Sequence, residues 1–375
     1  MTSVRTTSKM IALLDLGQSV WLDYLRRDML RNGDLAARIT EGLRGMTSNP
    51  TIFEGAIAGS ADYDEALTAP ALRDRTDAEL FEAIAIQDVQ MAADAFRVVY
   101  DATQGADGFV SLEVNPTLAR DTEGTLAEAR RLWRQVNRPN LMIKIPGTRE
   151  GWEAIERALE EGININITLL FSVEHYKAVA EAYLNALEAR LAAGKPVDRL
   201  ASVASFFVSR VDTEVDKRIE KLGDNLVPLL GRAAIANARL AYELFTELFA
   251  GPRWARLRDA GARVQRPLWA STSTKNPRYR DVRYIEELIG PETVNTVPPE
   301  TLQLFEEHGL VKTTLAPHAG DAHALMRKLA AGGIDFDDVT RTLENEGIEK
   351  FEASYRKLLG VIAGKRQALG VVARR

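Results

Sequence analysis

The chain has 375 residues, of which 46% are hydrophobic and 27% charged, and this ordinary globular composition excludes a mainly disordered protein. The formal net charge is −5, so the chain lacks the excess of positive charge that is typical of nucleic-acid-binding proteins, and no nucleic-acid partner is expected. The absence of cysteine excludes disulfides, thiolate zinc sites and a cysteine nucleophile. Asp15 interrupts the apolar run near the N-terminus, so this run does not suit a signal peptide. No segment reaches the roughly 20 apolar residues that span a bilayer. We therefore expect a cytoplasmic protein without a membrane partner.

Short apolar runs alternate with longer helical patterns along the chain, without a fixed repeat or a long linker. The runs predict eight strands, at residues 19–23, 45–47, 108–114, 141–145, 163–171, 201–208, 267–270 and 292–297. Helical patterns between them, at residues 125–136, 150–159, 173–193 and 212–222, indicate parallel strands joined by crossover helices. Eight such units suit a closed (β/α)8 barrel, although periodicity alone also allows an open doubly wound sheet.

Three further segments are predicted to be helical. Residues 77–100 form a long helix with one apolar face, and residues 225–258 contain more than one helix. Residues 299–370 are mainly helical, with breaks predicted at 332–333 and 345–347. We interpret residues 1–375 as a single α/β barrel domain, in which about 299–375 form a C-terminal helical extension packed on the barrel.

Polar side chains within or just after the apolar runs mark the predicted site, because active sites of parallel α/β proteins lie at the carboxyl ends of the strands. A buried polar group without a partner costs free energy, so several of them on separate strands indicate one convergent site. The candidates are Asp23, Thr47, Asn49, Glu113, Asn115, Lys144, Asn166, Thr168, Ser205, Arg210, Ser271, Ser273 and Lys275.

Lys144 is the sharpest signal among these candidates, because it stands between Ile143 and Ile145 in a predicted strand. Apolar surroundings disfavour the charged form of an amine, and a neutral amine forms a Schiff base with a carbonyl substrate. The alternative is an outward-facing strand lysine paired with an acid. Lys312 is a competing nucleophile, but no comparable strand-to-helix unit surrounds it.

Two carboxylates in apolar strands, Glu113 and Asp23, suit the proton transfers of Schiff-base chemistry. Structural ion pairing is the alternative role for either of them, and Asp15 is a rival to Asp23. Arg210 and Lys275 end two late strands close to several serines, a combination that can bind phosphate. Solvated loop cations are the alternative there.

Nucleotide and metal sites find little support in the sequence. There is no Walker A sequence and no G-x-G-x-x-G after a strand. His318 and His323 lie five residues apart, a spacing that does not place both rings on one helix face, so no metal site is expected.

Five segments together resemble the transaldolase family, in its longer bacterial subgroup, in both order and spacing. They are residues 46–53, 110–114, 141–148, 165–172 and 204–210. The resemblance runs from about Gln18 to the C-terminal helices. It implies a class I Schiff-base aldolase on a (β/α)8 barrel, which needs no cofactor and no metal. Such an enzyme transfers a dihydroxyacetone unit from sedoheptulose 7-phosphate to glyceraldehyde 3-phosphate, giving erythrose 4-phosphate and fructose 6-phosphate in the non-oxidative pentose phosphate pathway.

The resemblance also implies a role for each matching residue. Lys144 matches the Schiff-base lysine, Glu113 the acid/base that acts through a water, and Asp23 the base for the sugar hydroxyl. The substrate- and water-contacting positions are matched by Thr47, Asn49, Asn166, Thr168, Ser205, Phe207 and Arg210, the last on phosphate. At the seventh strand the match departs from shorter members: Lys275 stands for an arginine, and the preceding serine is either Ser271 or Ser273.

The sequence also allows other functions. One is an aldolase that cleaves fructose 6-phosphate without transfer, although such enzymes are much shorter and typically carry glutamine where Glu113 stands. Another is a sugar-phosphate-binding barrel without chemistry, and a third is an interaction protein that uses the C-terminal helices. Phosphorylated sugars are the expected ligands, and both a monomer and a homodimer are compatible with the sequence.

Overall fold

The computed structural model describes residues 8–72 and 74–370. Eight parallel strands pair in chain order and close into a barrel, because the first strand pairs with the eighth as well as with the second. The strands are β1 Gln18–Asp23, β2 Gly45–Thr47, β3 Phe109–Glu113, β4 Leu141–Pro146, β5 Ile165–Leu170, β6 Ser202–Phe207, β7 Arg266–Ala270 and β8 Thr293–Val297. The predicted (β/α)8 barrel is confirmed, and the open sheet is wrong.

Helices surround the barrel over most of the remaining described chain. They are α1 Lys9–Asp15, α2 Arg27–Arg31, α3 Asp34–Thr40, α4 Pro50–Ala58, α5 Asp64–Thr68, α6 Asp77–Ala102, α7 Thr122–Val136, α8 Arg149–Glu160, α9 Val173–Ala192, α10 Ser209–Leu222, α11 Ala233–Leu248, α12 Pro252–Asp259, α13 Arg283–Glu286, α14 Pro299–His308, α15 Asp321–Ala331 and α16 Phe336–Ala368. The segment predicted to hold more than one helix contains a 3-10 turn, α11 and α12. The predicted break at 332–333 separates α15 from α16.

Local sequence explains where the helices next to the site begin. Asn49 follows β2 and caps α4, because its side chain accepts a hydrogen bond from the Ile52 backbone N–H at 3.0 Å. Thr76 and Glu79 form a reciprocal capping box at the start of α6. The long apolar face of α6 then packs under β3 and the neighbouring helices. These caps fix the residues at which α4 and α6 begin.

The predicted break at 345–347 is wrong, because α16 continues through it from Phe336 to Ala368. Gly347 is buried against the barrel, and a Cβ atom there would lie 2.9 Å from Leu169 Cδ2. Leu169 itself has a φ of 60° and lies where the register between β5 and β6 shifts. Glycine at position 347 therefore allows α16 to pack closely against this irregular strand end. That packing outweighs the low helix propensity of glycine.

α16 packs against α4, α5, α6 and α10, and so crosses several of the strand-to-helix units. The interpretation of residues 299–375 as an extension of one barrel domain stays a prediction. Among the described residues, no helix combines the length and the apolar character that crossing a bilayer requires.

Candidate active site

The register of the strands brings the predicted polar residues to one level of the barrel. Asp23 of β1 pairs with Thr47 of β2, Glu113 of β3 pairs with Lys144 of β4, and Lys144 pairs with Asn166 of β5. Asp23, Thr47 and Glu113 are the last residues of their strands, so this level adjoins the carboxyl ends of the strands, with Lys144 and Asn166 placed inside β4 and β5. A cleft there, of about 900 Å³ and open to solvent, is lined by Asp23, Thr47, Asn49, Lys144, Thr168, Ser205, Phe207, Arg210, Ser271, Ser273 and Lys275.

Three of the candidate residues lie outside that cleft. Glu113 lines a neighbouring cavity between β3, α6 and α7, together with Asn115. Asn115 accepts hydrogen bonds from the backbone and the hydroxyl of Thr117, so it caps the short helical turn after β3. Asn166 is fully buried beneath the cleft.

Lys144 points into the barrel and is only 5% exposed, so the outward-facing alternative is wrong. Its Nζ atom donates a hydrogen bond to the Ser48 carbonyl oxygen at 3.3 Å and lies 3.6 Å from Glu113 Oε2. The ring of Phe351 from α16 lies 5.7 Å from the same Nζ atom. The amine is therefore held at the floor of the cleft between a carboxyl group and an aromatic ring.

The Glu113 carboxyl is buried and makes no hydrogen bond to any of the described residues. Its distance of 3.6 Å to Lys144 Nζ is an ion-pair distance rather than a hydrogen bond. Burial raises the pKa of Glu113 to about 7, and the positive charge of Lys144 only partly offsets that effect. Near neutral pH this carboxyl is therefore present in both protonation states, which suits a group that gives and takes a proton.

Asp23 is the last residue of β1 and lines the same cleft as Lys144. Its Oδ1 atom accepts a hydrogen bond from the Thr47 hydroxyl at 2.7 Å, and that hydroxyl is also 2.7 Å from Thr296 Oγ1. Burial raises the pKa of Asp23, against the opposing effects of Lys144, of the Thr47 hydrogen bond and of the cations at the cleft mouth. The rival Asp15 is exposed at the end of α1, before β1 begins, and so lies at the other end of the barrel.

A hydrogen-bonded layer underneath the cleft fixes the strands that carry the site. Asn166 donates to Ser111 Oγ at 2.9 Å and accepts from Ser205 Oγ at 2.6 Å. Thr168 lies two residues after Asn166 on β5. Its hydroxyl is buried and makes no hydrogen bond to the described residues. Like the carboxyl of Glu113, it is available for a water molecule or a substrate hydroxyl.

The mouth of the cleft is positively charged. The Arg210 guanidinium lies 5.0 Å above the ring of Phe207. Ser271 Oγ lies 3.0 Å from Ser209 Oγ, and Ser273 Oγ accepts a hydrogen bond from Thr301 at 3.0 Å. Over the described parts of the chain, neither Arg210 nor Lys275 forms an ion pair with an acid, which leaves both cations available for an anionic ligand.

The sequence analysis missed seven residues that line the cleft, namely Thr51, Ile52, Ala270, Thr296, Pro298, Lys350 and Phe351. The last two are the most informative. Lys350 and Phe351 reach the cleft from α16. The signal that could have found them is their spacing from the buried Gly347, because residues at i, i+3 and i+4 share one helix face. The rejected candidates lie elsewhere. Lys312 is exposed between α14 and α15, and His323 Nε2 lies 2.5 Å from Glu243 Oε2. No group of three or more possible metal ligands occurs among the described residues.

The fold and the cleft together define a (β/α)8 barrel with an amine and two carboxyl groups buried at the carboxyl ends of its strands, an arrangement that suits Schiff-base chemistry. Residues 20–362 match the family described as Transaldolase/Fructose-6-phosphate aldolase. The chain belongs to this enzyme family, as the resemblance of its motifs predicted.

Several relatives carry the name transaldolase. One from Acidothermus cellulolyticus is 52% identical over 358 residues, which cover 95% of this chain and 96% of that protein. One from Frankia alni is 52% identical over 350 residues, covering 92% and 94%. One from Thermobifida fusca is 50% identical over 354 residues, covering 94% and 96%. The similarity thus extends over nearly the whole length of each protein.

Proposed function

We propose that this enzyme is a transaldolase. It moves a dihydroxyacetone unit from sedoheptulose 7-phosphate to glyceraldehyde 3-phosphate, giving erythrose 4-phosphate and fructose 6-phosphate, in the non-oxidative pentose phosphate pathway. The observation that carries the proposal is the buried Lys144 amine, with Glu113 3.6 Å away and with Asp23 lining the same cleft. The names of the family and of the relatives support the same activity.

The chemistry explains why a lysine is needed. Cleavage of a ketose beside its carbonyl leaves a carbanion, which needs an electron sink. In the proposed reaction a protonated imine on Lys144 is that sink, and it forms when the amine attacks the ketose carbonyl and water leaves. No cofactor and no metal takes part in this scheme.

The two carboxyl groups divide the proton transfers. Glu113, with its pKa raised to about 7 by burial, exchanges protons with the carbinolamine through a water molecule that Thr168 helps to hold. Asp23 takes the proton from the sugar hydroxyl when the carbon–carbon bond breaks, and returns it when the acceptor aldehyde adds. Its hydrogen bond to Thr47 fixes the orientation of the carboxyl for this task.

The remaining residues of the cleft bind the sugar phosphate. Arg210 and Lys275 bind the phosphate together with a hydroxyl from the loop after β7, that of Ser271 or Ser273. The carbon chain of the sugar lies between this mouth and Lys144. Some residues contact this carbon chain and others orient those contacts. Together they are Thr47, Asn49, Asn166, Ser205 and Phe207.

Borohydride reduction tests the proposed function directly. Treatment of the enzyme with borohydride in the presence of fructose 6-phosphate should add a reduced three-carbon unit to the peptide that contains Lys144, as peptide mass mapping would show. A transfer assay with erythrose 4-phosphate as acceptor should then distinguish transfer from simple cleavage. An active enzyme that gives no adduct, or gives it on Lys312 or Lys275, would overturn the assignment.

Replacing Glu113 with Gln should slow imine formation about a hundredfold, since general acid/base catalysis commonly contributes about 10²–10⁴-fold. Dehydration of the carbinolamine needs the protonated carboxyl. Its rate in the unchanged enzyme should therefore decline as the pH rises through about 7. Single-turnover rates measured between pH 5 and 9 check this. Persistence of the decline in Glu113→Gln would assign it to another group.

Replacing Arg210 with Ala should raise the KM for fructose 6-phosphate about 10–100-fold, because a charge-assisted contact to phosphate is lost. The same variant should affect unphosphorylated dihydroxyacetone as donor far less. Steady-state kinetics with the two donors provide the comparison. An equal loss with both donors would remove Arg210 from the phosphate site.

A fructose 6-phosphate aldolase that cleaves without transfer is the nearest alternative, and the carboxylate at position 113 favours transfer over it. The cytoplasmic location, the lack of a nucleic-acid or membrane partner, and the choice between monomer and homodimer stay predictions. Size-exclusion chromatography coupled to light scattering would decide the last of these.

A further inference from the structure

The cleft mouth holds a third cation that the family motifs do not include. Lys350 of α16 lines the same cleft as Arg210 and Lys275. Across the described residues, the side chain of Lys350 has no hydrogen-bonding or ion-pairing partner. Three basic side chains from three separate elements thus converge without an acid paired to any of them.

The position of Lys350 follows from the docking of α16. A Cβ atom on Gly347 would lie 2.9 Å from Leu169 Cδ2 and 3.6 Å from Arg210 Nη1, so the helix backbone passes close to the phosphate-binding end of the cleft. Lys350 and Phe351 are three and four residues further on and share this helix face. Phe351 covers the Lys144 amine, and Lys350 therefore faces the cleft beside it.

The charges around Lys350 agree with this arrangement. The pKa of Lys350 is lowered, chiefly by the nearby positive charge of Arg210, then by partial burial, and then by Lys275. Two acids, Asp23 and Glu346, also act on Arg210, although neither forms an ion pair with it. Like charges brought together in this way repel each other, and the repulsion is relieved when an anion binds between them.

We propose that Lys350 is a third phosphate-binding residue, and that α16 completes the phosphate site of the sugar substrate. The proposal rests on the function proposed above. A sugar phosphate carries a charge between about −1.5 and −2 at pH 7. Arg210 and Lys275 match that charge, and Lys350 offsets part of the negative charge of the two acids that act on Arg210. Substrates with a terminal phosphate are then favoured over neutral sugars of the same length.

Replacing Lys350 with Met removes the charge and keeps the apolar stem. The variant Lys350→Met should raise the KM for fructose 6-phosphate about tenfold, the effect of one exposed charge-assisted contact, with kcat little changed. The KM for dihydroxyacetone should stay the same. Lys350→Arg should restore most of the affinity. Calorimetric titration with inorganic phosphate should show a similar weakening for Lys350→Met, greater at low salt than at high salt.

The matched control is Lys357→Met. Lys357 lies two turns along α16, is 70% exposed and pairs with Glu54 at 3.1 Å, outside the cleft. The variant Lys357→Met should leave both the KM for fructose 6-phosphate and the affinity for inorganic phosphate unchanged. Unchanged values in Lys350→Met, or equal losses with dihydroxyacetone, would overturn the proposal. The phosphate titration needs no turnover, so it tests Lys350 even if borohydride fails to trap an imine on Lys144.

Discussion

Lys144→Arg should lower kcat/KM for fructose 6-phosphate by about 10⁶-fold, the scale of loss seen when a covalent nucleophile is removed. Arginine retains a positive charge at the same place but cannot form the imine that accepts the electrons of the breaking bond. Because Lys144 is buried beside Glu113, the charge still has its partner, and the barrel should remain folded. The loss of kcat/KM would then result from the missing imine and not from unfolding.

Three measurements check the Lys144 prediction. Steady-state assays give the loss in turnover, borohydride labelling should fall to background, and thermal unfolding should show a transition close to that of the unchanged enzyme. The matched control is Lys312→Arg, since Lys312 is exposed in the loop before α15. Substantial turnover in Lys144→Arg, with Lys312→Arg inactive, would transfer the role to Lys312.

Asp23→Asn should lower turnover about 10³-fold while imine formation continues. The amide keeps the size of the carboxyl and can still contact Thr47, but it cannot accept the hydroxyl proton as the carbon–carbon bond breaks. The sugar should therefore accumulate as an uncleaved imine. Borohydride reduction followed by mass spectrometry should find the complete six-carbon phosphate on Lys144, in place of the three-carbon unit that the unchanged enzyme gives.

Asp15→Asn is the control for Asp23, because Asp15 is exposed at the opposite end of the barrel. It should retain normal turnover and the three-carbon adduct. Normal turnover in Asp23→Asn would show that another acid removes the proton. A three-carbon adduct in that variant would limit Asp23 to a later step.

The barrel was predictable because each strand is a short apolar run bounded by polar residues and followed by a helical pattern. Such alternation depends on local sequence, so all eight strands were found. The error at 345–347 has the opposite origin. Gly347 was interpreted by its intrinsic propensity, whereas its role depends on Leu169, which is far away in the chain and has an irregular backbone. At position 347 the tertiary contact with Leu169 outweighs the low helix propensity of glycine.

The candidate site was predictable to a similar extent. Lys144 and Thr168 lie near strand ends, where a parallel barrel brings side chains together regardless of their separation in sequence. Lys350 and Phe351 could not be found by that rule, because they approach from a helix outside the strand-to-helix units. Glu113 was assigned to the same site as Lys144. The structure adds that Glu113 lines a neighbouring cavity and not the cleft that holds Lys144.

The pairing of β1 with β8 has a consequence for biosynthesis. Gln18 donates a hydrogen bond to Thr293, 275 residues later, and this contact belongs to the seam that closes the barrel. A growing chain on the ribosome lacks that partner until most of the protein has been made, and closing so long a loop makes the step slow. Residues 347–351 emerge later still. Nascent chains therefore contain Lys144 long before they have an enclosed place in which it could react with a sugar.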